Sequence, residues 1–241
     1  ERPVAPPGAV GAERLAPGAA ASGANLAEGQ PGFLDLSESH FLGAPLPIGG
    51  RLYVLNEKQQ EIRLLTLDPE TGKVLGAQTL VTTRDRLVMD TLRRSMAAHL
   101  AYGDGILVCP TNAGAILGVD MLTGSLVWSY LYRETGDGQT DVVEGGVRRR
   151  RPVQIQVMPG MPTSGTPNSF WRSAPPMVAG DRVVFTSPYA KSLFCLDLRT
   201  GVKVWSQQRS DEDLYLGGVY QGKVIVVGKR SVRGIDLSTG Q

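Results

Sequence analysis

The sequence predicts an all-β fold, a β-propeller built of four-stranded antiparallel blades, on three observations. A five-residue turn pattern recurs four times, the segments around it repeat with a period near 40 residues, and each repeat divides into short Val, Ile, Leu and Phe runs bounded by Gly, Asp, Pro and Asn. The pattern is Asp, two variable residues, then Thr-Gly. It stands at Asp68, Thr71 and Gly72, at Asp120, Thr123 and Gly124, at Asp197, Thr200 and Gly201, and at Asp236, Thr239 and Gly240. An Asp side chain closes such a turn by accepting backbone N–H bonds, and the Gly supplies the positive φ that other residues resist.

The second and third copies align without a gap at an offset of 77 over about 33 residues. Gly103/Gly180, Asp104/Asp181, Ile106/Val183, Leu107/Val184, Trp128/Trp205 and Ser129/Ser206 fall together. In the third unit the strands are expected at 176–179, 182–186, 192–197 and 202–207, joined by tight turns. Four short strands per unit of about 40 residues is the pattern of propeller blades. The units fall at about 41–80, 96–131, 172–209 and 214–241. The fourth reaches only its last turn, which leaves a strand edge bare, so the chain reads as a partial ring and a segment of a longer propeller. Residues 33–36 are a candidate closing strand.

Composition excludes several classes. Lys and Arg number 25 against 23 Asp and Glu, a net charge of +2, which lacks the basic excess of a nucleic-acid-binding domain. No apolar run reaches the roughly 18 residues of a membrane span. Two cysteines make neither a disulfide framework nor a four-ligand zinc site. Gly and Pro together number 30 and 16. Many of these fall in two tracts without an apolar stripe, one at residues 1–32, read as a disordered Ala/Gly/Pro-rich arm, the other inside an insertion at 132–170.

The stretches from Leu117 to Trp128 and from Phe194 to Trp205 place Trp four residues after the Gly. In this they resemble the quinoprotein-type (PQQ-like) β-propeller repeat, whose blades close on Ala-x-Asp-x-x-Thr-Gly-Lys-x-x-Trp. The first unit keeps Thr71-Gly72-Lys73 but has Leu75-Gly76 where the Trp is expected. The resemblance implies that Trp128 and Trp205 dock adjacent blades. It implies too that the chain belongs either with the BamB-like non-catalytic propellers or with the PQQ-dependent dehydrogenases. The dehydrogenases hold PQQ and calcium through a Glu, Asn and Asp set, often beside adjacent cysteines. Cys109 and Cys195 stand in separate strands, so the non-catalytic branch leads and no catalytic, cofactor-binding or metal residue is assigned.

The remaining candidates are weighed against plainer roles. Arg148, Arg149, Arg150 and Arg151 form a basic run in the insertion, seven residues past the acidic Asp141, and with Trp171 they are the candidate partner contacts. Asp137 to Asp141 lacks the full calcium-loop pattern. His40 and His99 have no nucleophile or acid in a triad arrangement, and His99 is expected near the channel. Cys109 and Cys195 read as small buried hydrophobes. Residues 84–96 carry Leu87, Val88, Leu92 and Met96 near helical spacing, a short connector helix with Arg93, Arg94 and Asp90 turned to solvent. The expected function is a non-enzymatic scaffold or binding platform for a protein or polysaccharide, in the periplasm or cell envelope by resemblance, with no cofactor. A part of a PQQ-dependent dehydrogenase and the sensor propeller of a larger signalling protein are the alternatives.

Overall fold

A computed structural model describes residues 34–83, 86–132, 174–187 and 191–241. The arm at 1–32, the insertion with Arg148–Arg151, and Trp171 lie outside the described residues. Among these residues four antiparallel sheets follow one another along the chain. Blade 1 comprises β1 (His40–Phe41), β2 (Leu46–Ile48), β3 (Arg51–Lys58), β4 (Glu61–Leu67) and β5 (Val74–Thr82). Blade 2 comprises β6 (Ala101–Gly103), β7 (Ile106–Pro110), β8 (Ala115–Asp120) and β9 (Leu126–Leu131). Blade 3 comprises β10 (Met177–Ala179), β11 (Arg182–Thr186), β12 (Ser192–Asp197) and β13 (Lys203–Gln208). Blade 4 has three strands, β14 (Asp213–Tyr220), β15 (Lys223–Gly228) and β16 (Val232–Asp236). Residues 34–36 form no strand. Asp35 instead holds Ser37 and Lys58 in a turn, with Lys58 Nζ 2.8 Å from Asp35 Oδ2.

Each strand presents alternate side chains to its two neighbouring blades. Ile106, Val108, Ile116 and Trp128 of blade 2 pack on Val183, Phe185, Phe194 and Leu196 of blade 3. The other face of blade 2, with Leu107, Cys109, Leu117 and Val119, packs on Leu55, Ile62 and Leu64 of blade 1. Blade 3 meets blade 4 through Val184, Leu193, Cys195 and Trp205 against Leu216, Val224, Val226 and Ile235. The first strands β6, β10 and β14 lie side by side, as strands around a common axis do.

This packing corrects the ungapped repeat. Leu107 and Val183 both face the preceding blade, and Val108 and Val184 both face the following one, so the first two strands correspond at an offset of 76. Ile116 and Leu193, both turned to the following blade, restore 77 in the third strand. The extra residue lies in the turn after the second strand. Pairing Ile106 with Val183 would have put equivalent side chains on opposite faces, the consequence of any one-residue slip in a sheet.

The four Asp-x-x-Thr-Gly turns are built alike. In the third, Asp197 Oδ1 accepts from Arg199 N at 3.1 Å, Thr200 N at 2.9 Å and Thr200 Oγ1 at 2.8 Å, while Gly201 N donates to Asp197 O at 2.9 Å. In three copies the next residue ties the turn to the blade's inner hairpin: Met121 N donates to Gly105 O, Leu198 N to Asp181 O, and Leu237 N to Gly222 O. The first copy has Pro69 there, which has no N–H to give.

Antiparallel pairing sorts the loops onto two faces. The inner hairpins and the Asp-x-x-Thr-Gly turns share one face. The turns after each second strand share the other with the chains that connect one blade to the next.

Candidate functional site

On the connector face the chain between blades 1 and 2 folds as a 3₁₀ turn at Leu87–Met89 followed by the short helix α1 (Thr91–Ser95). Asp90 caps α1 by accepting from Arg93 N at 3.0 Å. The expected helix is therefore present but shorter than 84–96, and its polar side is not wholly solvated. Arg93 is buried, 6% exposed, and pairs with Glu57, 2% exposed. The same carboxylate accepts from Leu87 N at 2.9 Å through Oε1. One Glu at the end of β3 thus grips both halves of the connector. Arg94, the next residue, is exposed.

Beside this pair an open cleft of about 470 Å³ is bounded by Phe41 to Ala44 on one side and by Leu87 and Arg93 to Ala97 on the other. Its wall exists because the inner strand of blade 1 is interrupted between β1 and β2, both of which pair with β3. Ala98 N fills the break by donating to Leu42 O at 2.7 Å. Gly43 makes room: a Cβ there would stand 2.3 Å from Ala98 O. Asn112 Nδ2 fixes the exit of the connector by donating to Met96 O at 3.1 Å. Phe41 is left 54% exposed at the mouth, with Arg94 on the rim and Met96 half-buried. The cleft combines an aromatic face, an aliphatic wall and the exposed guanidinium of Arg94.

A polar node joins blades 2 and 3. Thr111 and Ser187, the residues after the second strands β7 and β11, are buried. Tyr132 is buried between them. Burial pushes its phenol up, while hydrogen bonds with Ser187 and Thr111 and the charge of Arg93 oppose the rise.

The remaining sequence candidates distribute as follows. Trp128 and Trp205 lie against the following blade: Trp128 Nε1 donates to Leu198 O and Trp205 Nε1 to Leu237 O, each at 2.8 Å. Each ring covers the Gly of that blade's turn, since a Cβ on Gly201 or Gly240 would stand 2.7 or 2.8 Å from it. Asp68, Asp120, Asp197 and Asp236 are held below the ordinary carboxylate value by the hydroxyl and amide donors of their own turns. These motif residues lie on the hairpin face and the outer rim, away from the cleft. Cys109 and Cys195 are free and buried; burial raises both thiols, Cys195 to about 12. His40 is exposed at the start of β1, and His99 is half-buried just before β6. Among the described residues no three His, Cys, Asp or Glu side chains are grouped to hold a metal ion. No helix among them is long and apolar enough to cross a membrane.

Sequence reading missed Glu57, Phe41 and Gly43. A signal for Glu57 was available: it ends the alternation Tyr53, Leu55, Glu57, whose other members pack toward blade 2.

Sheets docked Trp-on-turn around an axis define a PQQ-type β-propeller. The family model described as outer membrane protein assembly factor BamB matches residues 27–158, and the chain belongs to that family. The solved BamB of Moraxella catarrhalis is similar at 14% identity and a TM-score of 0.52, over 83% of this chain and 48% of that one. This chain thus spans about half the length of that BamB. A europium-containing methanol dehydrogenase is 18% identical with a TM-score of 0.42, over 71% of this chain and 26% of its own. The computationally designed Ika4 protein is 12% identical with a TM-score of 0.45, over 83% and 92%. No curated protein matches.

Proposed function

We propose that the chain is a non-catalytic propeller scaffold that binds a protein partner outside the cytoplasm through its connector face. The observation that carries this reading is the cleft between Phe41–Ala44 and Arg93–Ala97. An exposed aromatic ring beside a cation suits the apolar and acidic side chains of a polypeptide better than the hydroxyl-rich surface of a polysaccharide. The blades hold the cleft rigidly, so little ordering entropy opposes binding. Membership of a family described as an outer membrane protein assembly factor supports both the protein partner and the extracytoplasmic setting. The insertion leaves from Tyr132 and re-enters at Ala174, both at the connector end of their blades. Its Arg148–Arg151 run and Trp171 are proposed to add contacts there, and the 1–32 arm to serve as a tether.

The test is co-purification of the protein from its source cells with and without Phe41→Ala and Arg94→Glu. A stoichiometric partner that both substitutions remove supports the reading. A partner retained by both overturns the assignment of the cleft. Quinone absorbance and dye reduction on adding PQQ and calcium to the protein would overturn the non-catalytic reading itself.

A further inference from the structure

The outer strand of blade 2 is apolar where that of blade 3 is polar. Leu122, Leu126 and Leu131 occupy the places of Arg199, Lys203 and Gln208. They are 95%, 45% and 78% exposed, and Val127 between them is 48% exposed. A bulge at Gly118/Val119 sets Leu126 opposite Val119, Ser129 opposite Leu117 and Leu131 opposite Ala115. Leu126, Ser129 and Leu131 therefore share the face turned toward blade 1. In blade 3 the corresponding face lies next to Trp128. Blade 1 has Gly76 at that position, and the ring that would cover the rim of β9 is missing.

Among the described residues strand β9 is also an edge, the last strand of its sheet, paired with β8 alone. A bare edge with exposed leucines is a template for another strand unless a charge blocks it. Blade 3 carries such a charge at Lys203, whereas Leu126–Leu131 contains no Asp, Glu, Lys, Arg or His.

We infer that β9 is a self-association edge, pairing antiparallel with β9 of a second copy of this chain about a two-fold axis. The strand is self-complementary. Antiparallel pairing centred on Ser129, with Val127 as the bulged residue, sets Trp128 of one copy opposite Tyr130 of the other and Leu126 opposite Leu131, each twice over, and brings no like charges together. A foreign strand would need its own apolar alternation to fit; the second copy has it by construction. The six-residue edge is short of the roughly 800 Å² per partner of a standard stable interface, so the dimer is weak and concentration-dependent. The inference does not rest on the connector-face reading.

Sedimentation of the protein across the micromolar range tests it. The expected result is a reversible shift toward twice the monomer mass, weakened at least tenfold by Leu126→Lys with Leu131→Lys. Far-ultraviolet circular dichroism of the variant should match the parent, since both side chains lie on the surface. The reciprocal change, Lys203→Leu with Gln208→Leu, should increase association by giving blade 3 the same edge. A monomer at all concentrations, or a dimer indifferent to the lysine substitutions, overturns the inference. A monomer that instead takes up an alternating Leu/Val peptide along β9 assigns the edge to a foreign strand and also overturns self-pairing.

Discussion

Blades 2 and 3 are joined in one way and blades 1 and 2 in another. Between blades 2 and 3 an indole ring lies over the next blade's turn, donates to Leu198 O, and has an ion pair beside it from Arg199 to Asp104 at 2.5 Å. Between blades 1 and 2 there is no such ring. Gly76 stands at its place, Gly124 has open space around it, and Leu122 of that turn is 95% exposed. The boundary is held at the opposite face instead, by Glu57 and Arg93 buried under the connector. The first device is a repeat unit that needs only local sequence. The second uses one unrepeated ion pair, and by pulling the connector inward it forms the walls of the cleft. The boundary that departs from the repeat is the one that carries the candidate site.

Substitutions that remove each device should separate them. Trp128→Ala empties a buried ring position and leaves Leu198 O without its donor; a loss of about 3–5 kcal/mol in denaturant unfolding is expected. Glu57→Ala takes the carboxylate away from a buried guanidinium and should lose about 3–5 kcal/mol, with hydrogen exchange rising first over residues 86–98. A Trp128→Ala protein that loosens the connector instead of blade 3 would break the distinction. Next in size, Gly201→Ala should cost more than Gly124→Ala. Both sit at φ +69 and share the left-handed penalty of about 1–2 kcal/mol, but only at Gly201 does the new methyl meet the Trp128 ring. Equal losses would mean that the ring moves aside freely.

The smallest effect expected is on acid stability. The four motif carboxyls lie below their ordinary value of 3.8 in the folded chain. Their contribution is therefore complete above that value and is lost as pH falls below it through the folded values. Asp197 and Asp236 face a cation across the strand, Arg182 at 3.2 Å and Lys223 at 2.9 Å, whereas Asp120 faces Ile106. Asp236→Asn should accordingly flatten the acid limb of an unfolding curve more than Asp120→Asn does.

The turns and blades were legible in the sequence because the turn chemistry is local: Asp, Thr and Gly within five residues make the hydrogen bonds that close each turn. The face of each strand was less legible. Identities at Gly103/Gly180 and Asp104/Asp181 favour a common offset, yet a single extra residue in the following turn decides which blade Val183 meets. Arg93 looked solvated because its partner is 36 residues away, on a strand whose alternation ends in a Glu. The cleft depends on a break in an inner strand at Leu42–Gly43, where nothing but a Gly marks the approach of another segment.

A photo-crosslinking residue placed in turn at Phe41 and at Tyr220 tests the functional account most directly. Both positions are exposed, 54% and 68%, but the first lies on the connector face and the second beside the hairpin turns. The account predicts a defined protein adduct from Phe41 that Arg94→Glu abolishes, and none from Tyr220. An adduct from Tyr220 alone would place recognition on the hairpin face and contradict it.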